Sequence, residues 1–332
     1  MIINPSGRKV QIPDTPEWFN KYEIELRPSG FREVTLYTES ERGNPDYALI
    51  ERSAGGLGDI ITLLPAVEQL ARKKKVSLCI PKVYEPLTRH LDIEFIPFNV
   101  RLNNGNYLLY DQYYGHIFDC FCPCGDHEAK NGFHPTRNRI ENFADLLQVK
   151  PKTPVIPLKN FTSSAAKRYL SGIMKKIVGI APFSANPSKD WPRSYLVELV
   201  QHLKQAGYYV ISLHNKFETI GGEDKALTNL SLDDVAHILN RFDLLVTPDS
   251  GLMHFASALN KPVLALFGPT DGRLTMKYYG KSEFIQGKAV NGCALPCYYA
   301  GVNGYNCSRR AGDCMKTIGV HDVLEKVKDM LS

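Results

Sequence analysis

A 25-residue stretch from Thr247 to Asp271 limits the fold more than any other part of the chain. It runs strand end, polar turn, amphipathic helix, strand and polar turn without a break. Leu244-Leu-Val246 has the apolar character of a buried strand, and Pro248-Asp-Ser-Gly251 ends it. Either Asp249 or Ser250 can cap the helix that follows. Leu252, Phe255, Ala256 and Leu259 fall at i, i+3, i+4 and i+7, the spacing of one buried face. Ser250 and His254 share the opposite face, which is predicted to point away from the core. Val263–Phe267 reads as the next strand and ends in Gly268-Pro-Thr-Asp271. Such a unit gathers backbone N–H groups and polar side chains at the carboxyl ends of parallel strands, where open α/β sheets bind ligands.

A matching turn lies nearly two hundred residues earlier. Tyr47–Ser53 reads as a strand, Gly55-Gly-Leu-Gly-Asp59 follows, and Ile60, Leu63, Leu64 and Val67 then form a helical stripe. This glycine-rich turn lacks the spacing of a dinucleotide fingerprint. A pair of such turns, one in each half, carries more weight. Further strands are predicted at 76–80, 93–97, 177–181 and 208–213, with helices at 84–90, 193–206, 232–240 and 320–331. Residues 111–140 read as irregular, aromatic and cysteine-rich, and Pro151, Pro154 and Pro157 mark a linker. The expected fold class is α/β: two Rossmann-like domains facing a central cleft. The expected boundaries are 1–45 for a small β-rich extension, 46–160 for the first domain and 161–332 for the second, with a Cys-rich loop at 293–314.

At 332 residues the chain is long enough for two domains. With 43% hydrophobic and 23% charged residues it has the composition of a soluble globular protein. A net charge of +5 suits an anionic ligand and falls short of a nucleic-acid footprint. Arg72-Lys-Lys-Lys75 sits at a helix end, where cations oppose the helix dipole. The opening residues show no apolar leader, and no run approaches the ~20 apolar residues of a membrane span, so a cytoplasmic location is expected. The eight cysteines cluster. Cys293, Cys297, Cys307 and Cys314 could supply four thiolates to a structural zinc or iron, or stay as reduced thiols. Cys120, Cys122 and Cys124 are expected to be buried thiols.

Four motifs in order, Gly58-Asp-Ile-Ile-Thr-Leu-Leu-Pro65, Ser188-Lys-Asp-Trp-Pro192, Asp249-Ser-Gly-x-x-His254 and Phe267-Gly-Pro-Thr-Asp271, resemble glycosyltransferase family 9, the heptosyltransferases of GT-B fold. The resemblance implies inverting transfer of a sugar, heptose-type, from a nucleotide-diphosphate donor such as ADP-heptose to an acceptor hydroxyl. Asp59 matches the family's base; from the residues alone it reads equally as a helix cap. Gly55, Gly56 and Gly58 would form the acceptor-side loop. Lys189 matches a diphosphate-binding lysine, with Ser184 in the same turn. Asp249, Ser250, Gly251 and His254 match the donor loop, joined by Thr270 and Asp271. Glu218 stands where the family uses an acidic residue for the ribose, in a local sequence that departs from the pattern. Trp191 is expected to be a packing residue.

The resemblance implies no catalytic metal. Acceptor contacts are expected from His134, Arg137 and Arg139, and the acceptor could be a glycan, a protein side chain or another hydroxyl. The alternatives on the same fold are a nucleotide-sugar epimerase or hydrolase, and a transferase with a nucleic-acid acceptor.

Overall fold

The computed structural model describes residues 2–3, 9–10, 44–52, 55–97, 114–120, 136–215, 219–290, 293, 295–297 and 312–332. Their contacts group into two compact units. One comprises Met1–Ala54, Val67–Phe121 and Leu146–Val149, the other Gly55–Ala66, Cys122–Asp145 and Lys150–Ser332. Among the described residues, no helix is long and apolar enough to cross a membrane.

In the first unit, β1 (Ile2–Ile3) and β2 (Lys9–Val10) pair antiparallel. Four longer strands follow: β3 (Asn44–Glu51), β4 (Lys75–Ile80), β5 (Glu94–Pro97) and β6 (Tyr114–Asp119). They form a parallel sheet in the order β5-β4-β3-β6. Helix α1 (Leu57–Ala71) connects β3 to β4, and its residues up to Ala66 group with the second unit. The expectation that residues 111–140 are irregular is corrected at both ends. Residues 114–119 form a strand in register with β3, pairing Leu49 with Ile117, and Arg139–Leu146 form helix α2. Tyr114-Gly-His-Ile-Phe-Asp119 has weak strand character of its own, and the ladder offered by β3 overrides it.

The second unit holds six parallel strands: β7 (Ile177–Ile180), β8 (Tyr209–His214), β9 (Lys225–Thr228), β10 (Leu244–Pro248), β11 (Val263–Phe267) and β12 (Ser282–Gln286). Their order is β12-β11-β10-β7-β8-β9. Strands β9 and β12 were not expected from the sequence; both are short edge strands with half-exposed residues and little apolar alternation. The chain builds outward from β7 through β8 and β9, then returns to place β10 on the other side of β7. Loops after β7 and β10 therefore diverge and leave a crevice at the carboxyl ends of these strands. Strands β7 and β10 are buried throughout, as befits a parallel sheet covered on both faces.

Helices α3 (Ala165–Leu170), α4 (Arg193–Gln205), α5 (Leu232–Arg241), α6 (Gly251–Ala258), α7 (Gly272–Thr275) and α8 (Val320–Leu331) complete the unit. Leu196, Leu199, Val200 and Leu203 of α4 join Val320, Val323 and Val327 of α8 in one core with Val178, Ile180, Val246 and Leu264. Trp191 is buried in it as expected, its Nε1 donating to the Ile318 carbonyl at 3.1 Å. Helix α6 differs from its predicted two-faced pattern. Met253 and His254 are buried together with Phe255 and Ala256, while Leu252 is partly exposed. This helix is covered on both sides, so its polar stripe faces protein as well.

Gly179 in β7 lies against the Phe242 ring, and a Cβ built there would overlap Cδ2 and Cε2. Phe242 is itself buried, so the ring has nowhere to retreat. Gly179→Ala is expected to destabilise the second unit by about 1–3 kcal/mol, the usual penalty for overpacking a core. Urea titration of the variant against the wild type measures it.

Candidate functional site

The crevice after β7 and β10 is lined by Thr62, Arg137, Asn138, Arg139, Lys189, Asp249, His254, Thr270, Asp271, Leu274 and Thr275, all in the second unit. Local chemistry builds each wall. After β7 the chain enters a turn in which the Asp190 carboxylate accepts the Ser184 N–H at 2.7 Å and the Asn186 side chain accepts the Ser188 N–H at 3.0 Å. The turn delivers Lys189 to the crevice, where its Nζ donates to Asp249 Oδ2 at 2.8 Å. Asp249 also accepts from Thr270 Oγ1 at 2.9 Å. Burial works to raise the Asp249 carboxyl, but the Lys189 ammonium and these hydrogen bonds outweigh it and hold the group at about 2. Asp249 is therefore a carboxylate at any physiological pH.

Ser250, not Asp249, caps α6: its Oγ accepts from the Met253 N–H at 3.4 Å and shares a hydrogen bond with Thr247 Oγ1. Asp249 is thus left for Lys189. His254 follows one turn later, its Nδ1 2.7 Å from the Tyr279 hydroxyl. Burial pushes the imidazole down to about 4; Asp249 and Asp59 pull it up, Arg139 and Lys189 push it down. The ring is neutral at pH 7. Gly58 packs directly on it: a Cβ there would come within 2.5 Å of the His254 ring. Gly251 is confined in the same way, a Cβ falling 2.8 Å from Leu57 Cβ. The two predicted turns thus touch, glycine on one side meeting the helix of the other.

At the first turn Gly55 has φ +118, a conformation that favours glycine. Asp59 lies in the first turn of α1, and its Oδ2 accepts the Gly56 N–H at 2.8 Å, as in a capping box. The other carboxylate oxygen takes a charge-assisted hydrogen bond from Arg139 Nη1. Thr62, one turn on, donates to the Gly58 and Asp59 carbonyls. Arg139 starts α2, which Asn138 caps through the Ile140 N–H at 2.7 Å. The Asn138 amide also donates to the carbonyls of Leu274 and Thr275, while Glu141 accepts from Lys277 and Tyr278. Arg137 pairs with Asp145 and Glu141.

The structure therefore brings Asp59, Arg137, Arg139, Lys189, Asp249, Ser250, Gly251, His254, Thr270 and Asp271 into one neighbourhood. Asp271 caps α7 through the Arg273 N–H and pairs with the Arg273 guanidinium. Ser184 stands in the lysine turn, but its hydroxyl donates to the Asn186 carbonyl and does not line the crevice. Glu218, His134 and Cys307 lie outside the described residues, as do Cys122 and Cys124; Cys120 is buried. Among the described residues no group of three or more potential metal-ligating side chains occurs. Two of the predicted cysteines nevertheless border the same backbone: the Cys297 N–H donates to the Pro269 carbonyl at 2.8 Å, and Cys314 Sγ is 2.8 Å from where a Gly268 Cβ would stand.

Sequence reasoning missed Asn138, Tyr279 and Gln286. The Gln286 amide braces the Gly268 and Thr270 carbonyls from β12. Asn138 was findable, since Asn-x-x-Glu is a capping box in sequence. Tyr279 and Gln286 sit in segments with no local signal.

Two parallel sheets, each with the strand that comes first in sequence in its interior, and an ion-paired crevice at the reversal in the second, define a Rossmann-type α/β protein. Residues 136–294, a little under half of the chain, match the model of glycosyltransferase family 9 (heptosyltransferase), and over that stretch the chain is similar to that family. Lipooligosaccharide heptosyltransferase 2 of Haemophilus influenzae is 30% identical over 167 residues, 46% of this chain and 47% of the relative. The match thus spans about half the length of that curated relative. The structure of the E. coli ADP-heptose LPS heptosyltransferase II superposes with a TM-score of 0.60 at 18% identity, covering 86% of this chain and 98% of the other. The iron-containing dodecameric glycosyltransferase TibC, from enterotoxigenic E. coli H10407, gives a TM-score of 0.64 at 18% identity, covering 87% of this chain and 76% of TibC. The fold is the GT-B fold that the four motifs imply.

The neutral, buried His254 makes a pH prediction. Its folded pKa lies below the unfolded value, so the protein loses stability as protons bind preferentially to the unfolded chain. The contribution is fully present above about pH 6.5 and fades towards pH 4. Denaturant melts between pH 7.5 and 4.5 should show this fall, and His254→Gln should flatten it.

Proposed function

We propose that this chain is an inverting glycosyltransferase that moves a heptose-type sugar from a nucleotide-diphosphate donor to an acceptor hydroxyl. The observation that carries the reading is the meeting of two ion pairs at one crevice, Lys189–Asp249 in its lining and Asp59 bound to Arg139 of that lining, in a chain similar to family 9 over residues 136–294. In this reading residues 46–160 form the acceptor side and 161–332 the donor side. The start of α6 and Lys189 offer the donor's diphosphate N–H groups and a cation, the combination that binds phosphates at a helix N-terminus. Asp249 and Thr270 stand beside that position for the sugar hydroxyls.

The acceptor hydroxyl gives its proton to the Asp59 carboxylate as its oxygen bonds the anomeric carbon. On the opposite face of that carbon the bond to the diphosphate oxygen breaks, and its electron pair leaves with the diphosphate. Single displacement from that side inverts the centre. TibC has been solved with ADP-D-β-D-heptose, in a structure superposing at TM-score 0.63 and 17% identity over 92% of this chain and 80% of TibC. That supports ADP-heptose as the probe donor here. A cytoplasmic setting fits a nucleotide-sugar donor.

Cys293, Cys297, Cys307 and Cys314 would hold a structural zinc or iron. Support comes from Cys297, through its backbone N–H, and Cys314, through its sulfur, both lying against Gly268–Pro269, and the donor set of thiolates suits either metal. Bound by these thiolates, the ion would add a cross-link to the Cys-rich segment.

Asp59→Ala should cut transfer by about 10²- to 10⁴-fold, the worth of a positioned base, while ADP binding is not weakened. Lys189→Ala should weaken ADP at least about tenfold, the loss expected of a charged hydrogen-bond partner. Calorimetry with ADP and turnover of ADP-heptose against lipopolysaccharide-core and protein acceptors test both. Full turnover by the Asp59 variant would remove it as the base.

A further inference from the structure

We propose that Tyr279 is a positioning residue for the site: its hydroxyl holds His254 as the Nε2–H tautomer, so that the imidazole offers the crevice an uncharged N–H donor for a ligand oxygen. The inference deepens the glycosyltransferase reading above and rests on it for the identity of that ligand.

The ring of His254 is fixed on two edges. Its Nδ1 stands 2.7 Å from the Tyr279 hydroxyl, and the two rings meet edge to face with centroids 5.6 Å apart. Gly58 packs on the Cδ2 edge, where a Cβ would come within 2.5 Å of Cδ2 and 3.2 Å of Nε2. Having no side chain, Gly58 keeps the approach to Nε2 clear on that side. His254 lines the crevice, and among the described residues Tyr279 is the one hydrogen-bond partner of its ring. Nε2 is therefore the atom with which this ring can meet a ligand.

The position of each proton follows from burial. Tyr279 is 4% exposed, and among the described residues its hydroxyl bonds the His254 ring alone. If Nδ1 carried the hydrogen, the phenol would accept it, and its own O–H would be buried without an acceptor, the costlier arrangement. The phenol therefore donates, Nδ1 accepts, and the imidazole hydrogen sits on Nε2. Burial and the Asp249 charge push the phenol pKa up, so its proton stays in place. Burial keeps the imidazole neutral at pH 7 among the charges of Asp249, Arg139, Asp59 and Lys189. The segment that carries Tyr279 is itself tied down. Its N–H donates to the Met276 carbonyl at 2.9 Å, its carbonyl accepts from the Ser282 N–H at 3.1 Å, and the Tyr278 hydroxyl donates to Glu141 of α2 at 2.9 Å.

The tautomer decides what the ring can do. An Nε2–H group attracts a phosphate or hydroxyl oxygen, whereas a bare Nε2 would present a lone pair and repel a phosphate oxygen. A neutral donor adds this bond without further charge in a crevice whose ions are already paired.

Nitrogen NMR on the full chain carrying nitrogen-15-labelled histidine tests the assignment. The ring signals of His254, identified by their loss in His254→Gln, should at pH 7 show Nε2 protonated and Nδ1 bare. Tyr279→Phe, which keeps the ring and removes the hydroxyl, should bring in a measurable Nδ1–H population. It should also weaken ligand binding in calorimetry by about three- to tenfold, the worth of one hydrogen bond. ADP and ADP-heptose are the probes: a loss with both places the oxygen on the diphosphate, and a loss with ADP-heptose alone places it on the sugar. In the His254→Gln background the same substitution should cost nothing further, which a general loosening of the fold would not obey. Nδ1–H in the wild type, an unchanged tautomer in Tyr279→Phe, no loss with either probe, or a loss that persists without His254 overturns the proposal. Binding of neither probe by the wild type overturns the glycosyltransferase reading instead, while the nitrogen spectrum still decides the part of Tyr279.

Discussion

The Lys189–Asp249 ion pair depends on the most consequential decision in this fold, the placement of β10 beside β7. Residues 60 apart in sequence meet because the chain winds outward through β8 and β9 and then returns to the other side of its first strand. Once there, both side chains are nearly buried, and each would be costly without the other. The pair in turn organises its surroundings. Thr270 donates to the same carboxylate, Gln286 holds the backbone of Thr270, and His254 stays neutral in the field of both charges. A short crevice between two strand ends therefore becomes a site with fixed charges.

The second constraint is made of missing atoms. Gly58 and Gly251 are the points at which the turn after β3 and the helix after β10 lie side by side, and either would collide with its neighbour if it carried a Cβ. The ring of His254, held by Tyr279, fills the space that Gly58 leaves. Asp59 is one residue from that contact, so the position of its backbone relative to α6 is set by backbone packing.

Much of this was legible before any coordinates. Regular strands with buried aliphatic runs, such as Ile177–Ile180 and Val263–Phe267, declare themselves because burial on both faces demands unbroken apolar sequence. The turns that follow β3, β7 and β10 were visible as glycine, proline and aspartate clusters, and Asp59, Lys189 and Asp249 came with them. What the sequence hid were elements stabilised by their neighbours. Strand β6 owes its form to the ladder of β3, and β12 to that of β11. Burial of His254 was hidden too, because a helix covered on both sides by separate parts of the chain looks two-faced from its own residues. Tyr279 could be placed only once α6 and the residues after α7 were side by side.

The charge pairing in the crevice has one more consequence, for the way a ligand arrives. Among the described residues, the cations that line it, Arg137, Arg139 and Lys189, each face a carboxylate. From a Debye length away such a site is almost mute: it casts little positive potential into solution, and passing polyanions are neither drawn in nor retained. Capture of an anion then depends on contacts made at short range rather than on long-range steering. The association rate of an anion there should be modest and only weakly sensitive to ionic strength, with selectivity exercised at contact by the spacing of the pairs.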